Sequence, residues 1–210
     1  RAVIPFKPRN PKNRLASVLD SAERDQFACA MLEDVIDAVT EAGCEPFLLC
    51  THPFSHPRAA YAIHAAGLND ALNALFCQSQ GPLLVIMADL PLADAPSVAR
   101  VCATSAAVAL VPGRGGGTNA IFLREPKRFR ANFYGASFLK HRRIAEEAGT
   151  PAEVIDSFRL HTDIDEPDDL VEVLIHGGAH SRALLGSIGF ALSIENGRVG
   201  VKRDSHEQTF

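Results

Sequence analysis

Residues 83–92 read Leu-Leu-Val-Ile-Met-Ala-Asp-Leu-Pro-Leu, an apolar run that ends in one carboxylate and a Pro turn. An apolar run without polar alternation suits a strand buried on both faces, the condition of a parallel sheet covered by helices. Asp89 then stands at the carboxyl end of such a strand, where open α/β sheets bind ligands. The same Asp could simply cap the following turn, so at this point both roles remain open.

Outward from this run, short apolar segments alternate with longer amphipathic ones, the pattern of βα repeats. Strands are expected at Ala2–Phe6, Glu45–Cys50, Leu83–Ala88, Ala107–Val111, Asn119–Leu123, Val154–Asp156 and Leu160–Asp163. Phe27, Met31, Val35 and Val39 recur at four-residue steps and predict a helix over Ser21–Ala42, with Gly43 at its C-cap. Further helices are expected at Asn69–Phe76 behind an Asn cap, at Ala95–Thr104, at Ser137–Ala148 behind a Ser cap, and at Pro167–Ile175. In the last of these Asp168 and Asp169 complement the helix dipole. Asn196-Gly197 between Phe190–Ile194 and Val199–Lys202 predicts a hairpin, which could cover a sheet edge or pair with another subunit. The expected architecture is one α/β domain over residues 1–210: a Rossmann-like, mostly parallel sheet flanked by helices over 1–185, then a C-terminal β-hairpin and tail over 186–210.

Composition narrows the function classes. A chain of 210 residues that is 47% hydrophobic can bury a full core. A formal net charge of -4 argues against a nucleic-acid binder acting through bulk electrostatics, so an anionic partner must meet a local cluster of cations. Five widely spaced cysteines without a Cys-x-x-Cys pair read as reduced thiols, not as a disulfide framework or zinc site. No apolar stretch reaches membrane-spanning length and no signal peptide is read, so a cytoplasmic protein without membrane partners is expected.

Three stretches could carry chemistry. In Pro5-Phe6-Lys7-Pro8-Arg9-Asn10-Pro11-Lys12-Asn13-Arg14, four cations sit between a strand and the next apolar segment, which suits a polyphosphate. It is neither a P-loop nor a dinucleotide fingerprint, and a solvated, Pro-stiffened loop is the plainer reading of the same residues. Asp89 is the second candidate, as a Mg²⁺ ligand. In the third, Leu160-His161-Thr162-Asp163-Ile164-Asp165-Glu166-Pro167, alternation along an expected strand end puts Asp163 and Asp165 on one face. A hard cation would relieve their repulsion. Between these, Gly113-Arg114-Gly115-Gly116-Gly117-Thr118-Asn119 lets backbone approach a ligand, with Thr118 and Asn119 offering polar groups. Gly135 and Ser137 precede a helix start suited to an acidic group, and His141 reads as a helix-surface residue.

Taken in order, VIPFKPRNPKNRLA, GLNDALNAL, MADLPL, GGTNA, FYGASFLKH and DIDEPDDL resemble the CofC/FbiD-type 2-phospho-L-lactate guanylyltransferases of coenzyme F-420 biosynthesis, within the GT-A-like nucleotidyltransferase superfamily. The resemblance spans residues 3–170. It implies a Mg²⁺-dependent enzyme that moves a guanylyl group from GTP to 2-phospho-L-lactate; the expected apolar hairpin separately hints at a homodimer. The resemblance also implies that Pro5, Lys7, Arg9, Lys12, Arg14, Gly67 and Asn69 bind the nucleotide, with Lys7, Arg14 and Asp89 catalytic. Thr118, Asn119, Gly135 and Ser137 would lie at the acceptor, and Asp89, Asp163 and Asp165 at the metal. Phosphoenolpyruvate or 3-phosphoglycerate as acceptor, or another nucleotide such as CTP, are the alternatives it leaves open.

Overall fold

A computed structural model of the chain describes residues 1–9, 11–64, 67–195 and 197–203. Asn10 of the basic loop, the expected turn residue Asn196 and the tail 204–210 lie outside the described residues.

The strands β1 (Ala2–Phe6), β2 (Pro46–Cys50), β3 (Ala60–Ile63), β4 (Leu83–Ile86), β5 (Val108–Pro112), β6 (Thr118–Leu123) and β7 (Glu153–Val154) form one sheet in the order β3-β2-β1-β4-β6-β5-β7. Pairing is parallel except for β6, which runs antiparallel to both β4 and β5. Alternate residues of the same strands feed two cores, as a period of two requires. Ile4, Leu48, Leu84, Ile86 and Phe122 point to one face, whereas Val3, Leu49, Val85, Ile121 and Leu123 point to the other. This two-sided burial is why β1 and β4 read as continuous apolar runs.

On the first face lies α1 (Ser21–Glu41), opened by a reciprocal capping box between Asp20 and Glu23 and followed by Gly43 at φ 79°. α2 (Leu68–Gln78) and α4 (Ser137–Glu147) pack Leu72, Phe76 and Ala145 on the second face. The remaining helices are α3 (Ala95–Cys102), the single turn α5 (Phe158–His161), α6 (Leu170–His176) and α7 (Ala179–Ser187). The hairpin β8 (Phe190–Glu195) and β9 (Arg198–Arg203) forms its own two-stranded sheet. A third core of Leu15, Phe27, Met31, Ile164, Leu170, Leu185 and Phe190 fastens it and α6 to α1. Among the described residues no helix is long and apolar enough to cross a membrane.

Several expectations are corrected. Residues 160–163 form no strand: Leu160 and His161 close the turn α5, and the chain beyond them is irregular. The alternation that suggested a strand is a true burial pattern, since Leu160, Thr162 and Ile164 are buried. The backbone groups, however, are satisfied outside any ladder. The Leu160 and His161 carbonyls accept from Asn119 Nδ2 at 3.0 and 3.1 Å, and the Ile164 amide donates to the Asp89 carbonyl at 3.1 Å. Asn69 does not cap α2; Gly67 holds that position, and the Asn69 carboxamide is spent on Phe133. Ser137 does not cap α4 either, because Ala136 precedes it in left-handed backbone and the Ser137 hydroxyl turns inward to Thr118. Strand β3 and helix α7 went unforeseen, as neither is strongly periodic.

Candidate functional site

At the carboxyl ends of β1 and β4 a cavity of about 630 Å³ opens between the basic loop and the start of the turn after β4. Pro5, Lys7, Lys12, Arg14, Asp89 and Asp165 lie on its wall, together with apolar Phe6, Met31 and Met87 and with Tyr134. The fold explains the convergence. β1 and β4 are neighbours, so the loop after one and the carboxylate after the other share a sheet edge. Asp165 arrives there because Ile164 is anchored to the Asp89 carbonyl.

Lys12 is the centre of the polar wall. Its backbone is left-handed at φ 53°, and its side chain is only 12% exposed. The ammonium donates to Asp89 Oδ2 and to Asp165 Oδ1, each at 2.7 Å. Burial is the largest single influence on its pKa and pulls it down, but the two carboxylates together hold it above the ordinary lysine value. Arg14 stands outside this pair, 3.4 Å from Asp165 and 3.5 Å from Glu166, and two-thirds exposed. Lys7 is exposed at the mouth of the cavity.

A divalent cation is implied by the resemblance, and the donor set can be judged on its chemistry. No group of three or more His, Cys, Asp or Glu side chains able to hold a metal occurs among the described residues. Asp89 and Asp165 do share one cationic centre, now the Lys12 ammonium. Two carboxylates with the remaining ligands supplied by water and substrate phosphates is the usual way Mg²⁺ is held, so the pair fits. Asp163 points elsewhere: its carboxylate accepts from Asn119 Nδ2 at 3.4 Å and its carbonyl from Arg114 at 2.8 Å.

The other sequence candidates divide. Arg9 is exposed and, with Gly67, Asn69, Thr118, Asn119, Gly135 and Ser137, lies off the wall of this cavity among the described residues. Asn69 and Asn73, one helical turn apart on α2, each bond the N–H and C=O of a single residue in the segment before Tyr134. Asn69 takes Phe133 and Asn73 takes Ala131. They bind that segment much as a neighbouring strand would. Asn119, as described above, has its amide hydrogens directed to the turn that carries the acids.

Thr118, Ser137 and His141 form a buried network, and the expectation of a surface His141 is corrected: the ring is fully buried. The Asn132 amide donates to His141 Nε2 at 2.9 Å, which makes Nδ1 the protonated nitrogen of the neutral ring and a donor to Thr118 Oγ1 at 2.9 Å. Ser137 Oγ donates to the same Thr118 oxygen at 3.2 Å. Burial, helped by nearby Lys140, lowers the His141 pKa to about 4. Periodicity could have flagged it, since Ser137, His141 and Ala145 recur every four residues on one buried face.

Tyr134, Gly135 and Ala136 are all left-handed, at φ 77°, 48° and 45°, an unusual run beside the cavity. Sequence reading also missed Asp169 and Arg114. Asp169 is buried, not a solvated dipole complement, and it ion-pairs with Arg114.

The family model described as "Guanylyl transferase CofC like" matches residues 1–205. A 2-phospho-L-lactate guanylyltransferase of Methanoculleus marisnigri is 56% identical over 99% of this chain and 97% of its own length. One from Methanoregula boonei is also 56% identical, over 96% and 94% respectively. Among solved structures, a nucleotidyl transferase from Methanothermobacter superposes with a TM-score of 0.64 at 13% identity, covering 83% of this chain and 95% of that one. A Mycobacterium tuberculosis protein solved in complex with manganese gives a TM-score of 0.50 at 13% identity, covering 83% and 96%.

Proposed function

Because the chain belongs to the CofC-like guanylyl transferase family, we propose that it moves GMP from GTP to 2-phospho-L-lactate. The products are lactyl-(2)-diphospho-5'-guanosine and pyrophosphate. The observation that carries this reading is the single cationic centre shared by Asp89 and Asp165 on a cavity wall that also bears Lys7 and Arg14.

In the proposed reaction a phosphate oxygen of the acceptor attacks the α-phosphorus of GTP. The new P–O–P bond forms as the bond to the bridging oxygen of pyrophosphate breaks, and that oxygen keeps the electron pair. The acceptor phosphate is already an anion at neutral pH, so no strong general base is needed. Positioning and charge neutralisation supply most of such catalysis. Lys7 and Arg14, both on the cavity wall, would oppose the charge that builds on the leaving pyrophosphate, with Lys12 beside them and Arg9 exposed on the same loop. Asp89 and Asp165 would hold the divalent cation, Mg²⁺ in this reading, whose chemistry is to neutralise phosphate charge and fix the triphosphate's orientation.

Gly135 stays on the acceptor side of the reading, whereas Thr118 and Ser137, buried and bonded to each other and to His141, are better assigned to holding that side in shape. Asn119 is better assigned to holding the acidic segment, since the Leu160 and His161 carbonyls take its amide hydrogens. Asn69 is likewise better assigned to bracing Phe133 than to touching the nucleotide.

The test is pyrophosphate release from GTP, Mg²⁺ and 2-phospho-L-lactate. Release well above a chelator control is expected. Release that is matched or exceeded with CTP, or with phosphoenolpyruvate or 3-phosphoglycerate in place of phospholactate, would reassign the base or the acceptor.

A further inference from the structure

Between the Gly-rich β5–β6 turn and the acidic segment runs a chain of contacts that reaches the cavity only at its end, through Asp165. Arg114, on that turn, donates through Nη2 to the Asp163 carbonyl at 2.8 Å and to Asp169 Oδ1. The other carboxylate oxygen of Asp169 accepts from the backbone amides of Asp165 and Glu166, each at 2.8 Å. Asp169 is buried, so its charge has to be met by these partners.

We propose that Arg114 and Asp169 are positioning residues that fix the Asp165 carboxylate on the cavity wall at the distance from Asp89 that one cation can span. The Asp165 backbone is held at two points. Its own amide is tied to Asp169, and the amide of the preceding residue, Ile164, is tied to the Asp89 carbonyl. The second tie links the two acids directly, and the first stops the chain from pivoting about it. Arg114 engages the opposite oxygen of the Asp169 carboxylate, which leaves Oδ2 to accept from both amides at once. It also binds the carbonyl of Asp163, closing the turn from the other side.

The turn itself is shaped for this. Gly116 is left-handed at φ 76°, and a Cβ at Gly113 would fall 2.4 Å from Asn119 Oδ1, the side chain that grips the same segment from below. Arg114 and Asn119, one at each end of the turn, thus hold the acidic segment against the sheet edge. Close approach of Asn119 calls for glycine at Gly113 and the positive φ calls for it at Gly116, and neither needs to meet a ligand to be required.

This inference rests on the reading that Asp89 and Asp165 hold a divalent cation. Orienting partners of metal ligands commonly change metal affinity by about 10–100-fold when removed. The experiment is a Mn²⁺ titration of the GTP complex followed by electron paramagnetic resonance, with the melting temperature read in parallel. Asp169→Asn and Arg114→Gln are each expected to weaken Mn²⁺ by about tenfold or more. Arg114→Lys should recover part of the loss, and the double variant should bind no worse than the weaker single variant, because both act through one chain. Arg114 lies on an exposed turn, so its variants report even where Asp169→Asn fails to fold. Unchanged Mn²⁺ affinity in the Arg114 variants, with only a lower melting temperature, would overturn the proposal. Wild-type affinity equal to that of Asp89→Asn would instead remove the metal reading, and this inference with it.

Discussion

The Lys12 ammonium sits 2.7 Å from Asp89 Oδ2, and it reaches Asp165 Oδ1 at the same distance. One lysine from the first loop thus neutralises two acids that are far apart in sequence. Lys12 stands where a metal shared by these carboxylates would have to compete with it. Replacing it by Met leaves the two acids without their internal cation. Lys12→Met is expected to bind Mn²⁺ more tightly than wild type when no nucleotide is present, while GTP turnover falls. Equal or weaker nucleotide-free Mn²⁺ binding would show that the lysine does not hold the metal's place.

Asp89→Asn and Asp165→Asn keep the side-chain shape and an acceptor for Lys12 but remove the charge. Each is expected to lower kcat/KM by roughly 10²–10³-fold, about 3–4 kcal/mol of transition-state stabilisation. The fold should persist, because loop-end carboxylates near one another are relieved by neutralisation. Steady-state pyrophosphate release together with far-ultraviolet circular dichroism separates loss of chemistry from loss of structure.

His141 is buried neutral with its pKa lowered to about 4. The unfolded chain takes up a proton near pH 6.5 and the folded one only near 4, so folding stability is present above 6.5 and drains away as pH falls between those values. The loss across that window is of order 3 kcal/mol. Urea unfolding from pH 7 to pH 4 should show this limb in wild type. His141→Gln, whose Oε1 can still accept from the Asn132 amide, should flatten it.

Ala136 pays for its left-handed backbone with a Cβ clash that Gly lacks. Ala136→Gly is expected to raise stability by up to about 1 kcal/mol, less the extra chain entropy of Gly. If the run Tyr134–Ala136 is held in this shape for the reaction, kcat will fall while the melting temperature rises. A calorimetric scan and a turnover assay on the same sample distinguish the two effects.

Asn69→Ala and Asn73→Ala each strip both hydrogen bonds from one residue of the segment before Tyr134. A loss of about 1–3 kcal/mol in stability is expected for each, because a buried amide is left without a partner. If Asn69 only braces this segment, the two variants will show parallel changes in KM for GTP. A large effect confined to Asn69 would place it in contact with the nucleotide.

Much of this architecture was legible because it depends on burial. The runs at Ala2–Phe6 and Leu83–Ile86 are apolar on both faces, so they could only be strands covered on both sides. The Phe27–Val39 spacing made α1 equally plain, and the cations of the first loop and the terminal carboxylate of residues 83–92 marked the sheet edge where the cavity lies. Residues 160–165 misled for a physical reason. Their alternating burial is genuine, but side chains of Asn119 and Arg114 satisfy the backbone there in place of a neighbouring strand. Asp169 was misread in the same way, since an acid beside a helix start looks alike in sequence whether water or a distant arginine is its partner.

The sequence by itself determined the α/β class, the sheet edge where the cavity lies, and the charged groups on its wall. All of these follow from local hydrophobicity, turn chemistry and residue type. Only the tertiary structure decided which groups meet: that Lys12 lies between Asp89 and Asp165, that Asp163 turns to Asn119, and that His141 is sealed behind Thr118. Those pairings join residues from 23 to 153 positions apart. Their geometry is set by how the sheet orders its strands and by which side chains satisfy the buried backbone between them, and neither is written in any local stretch of the chain.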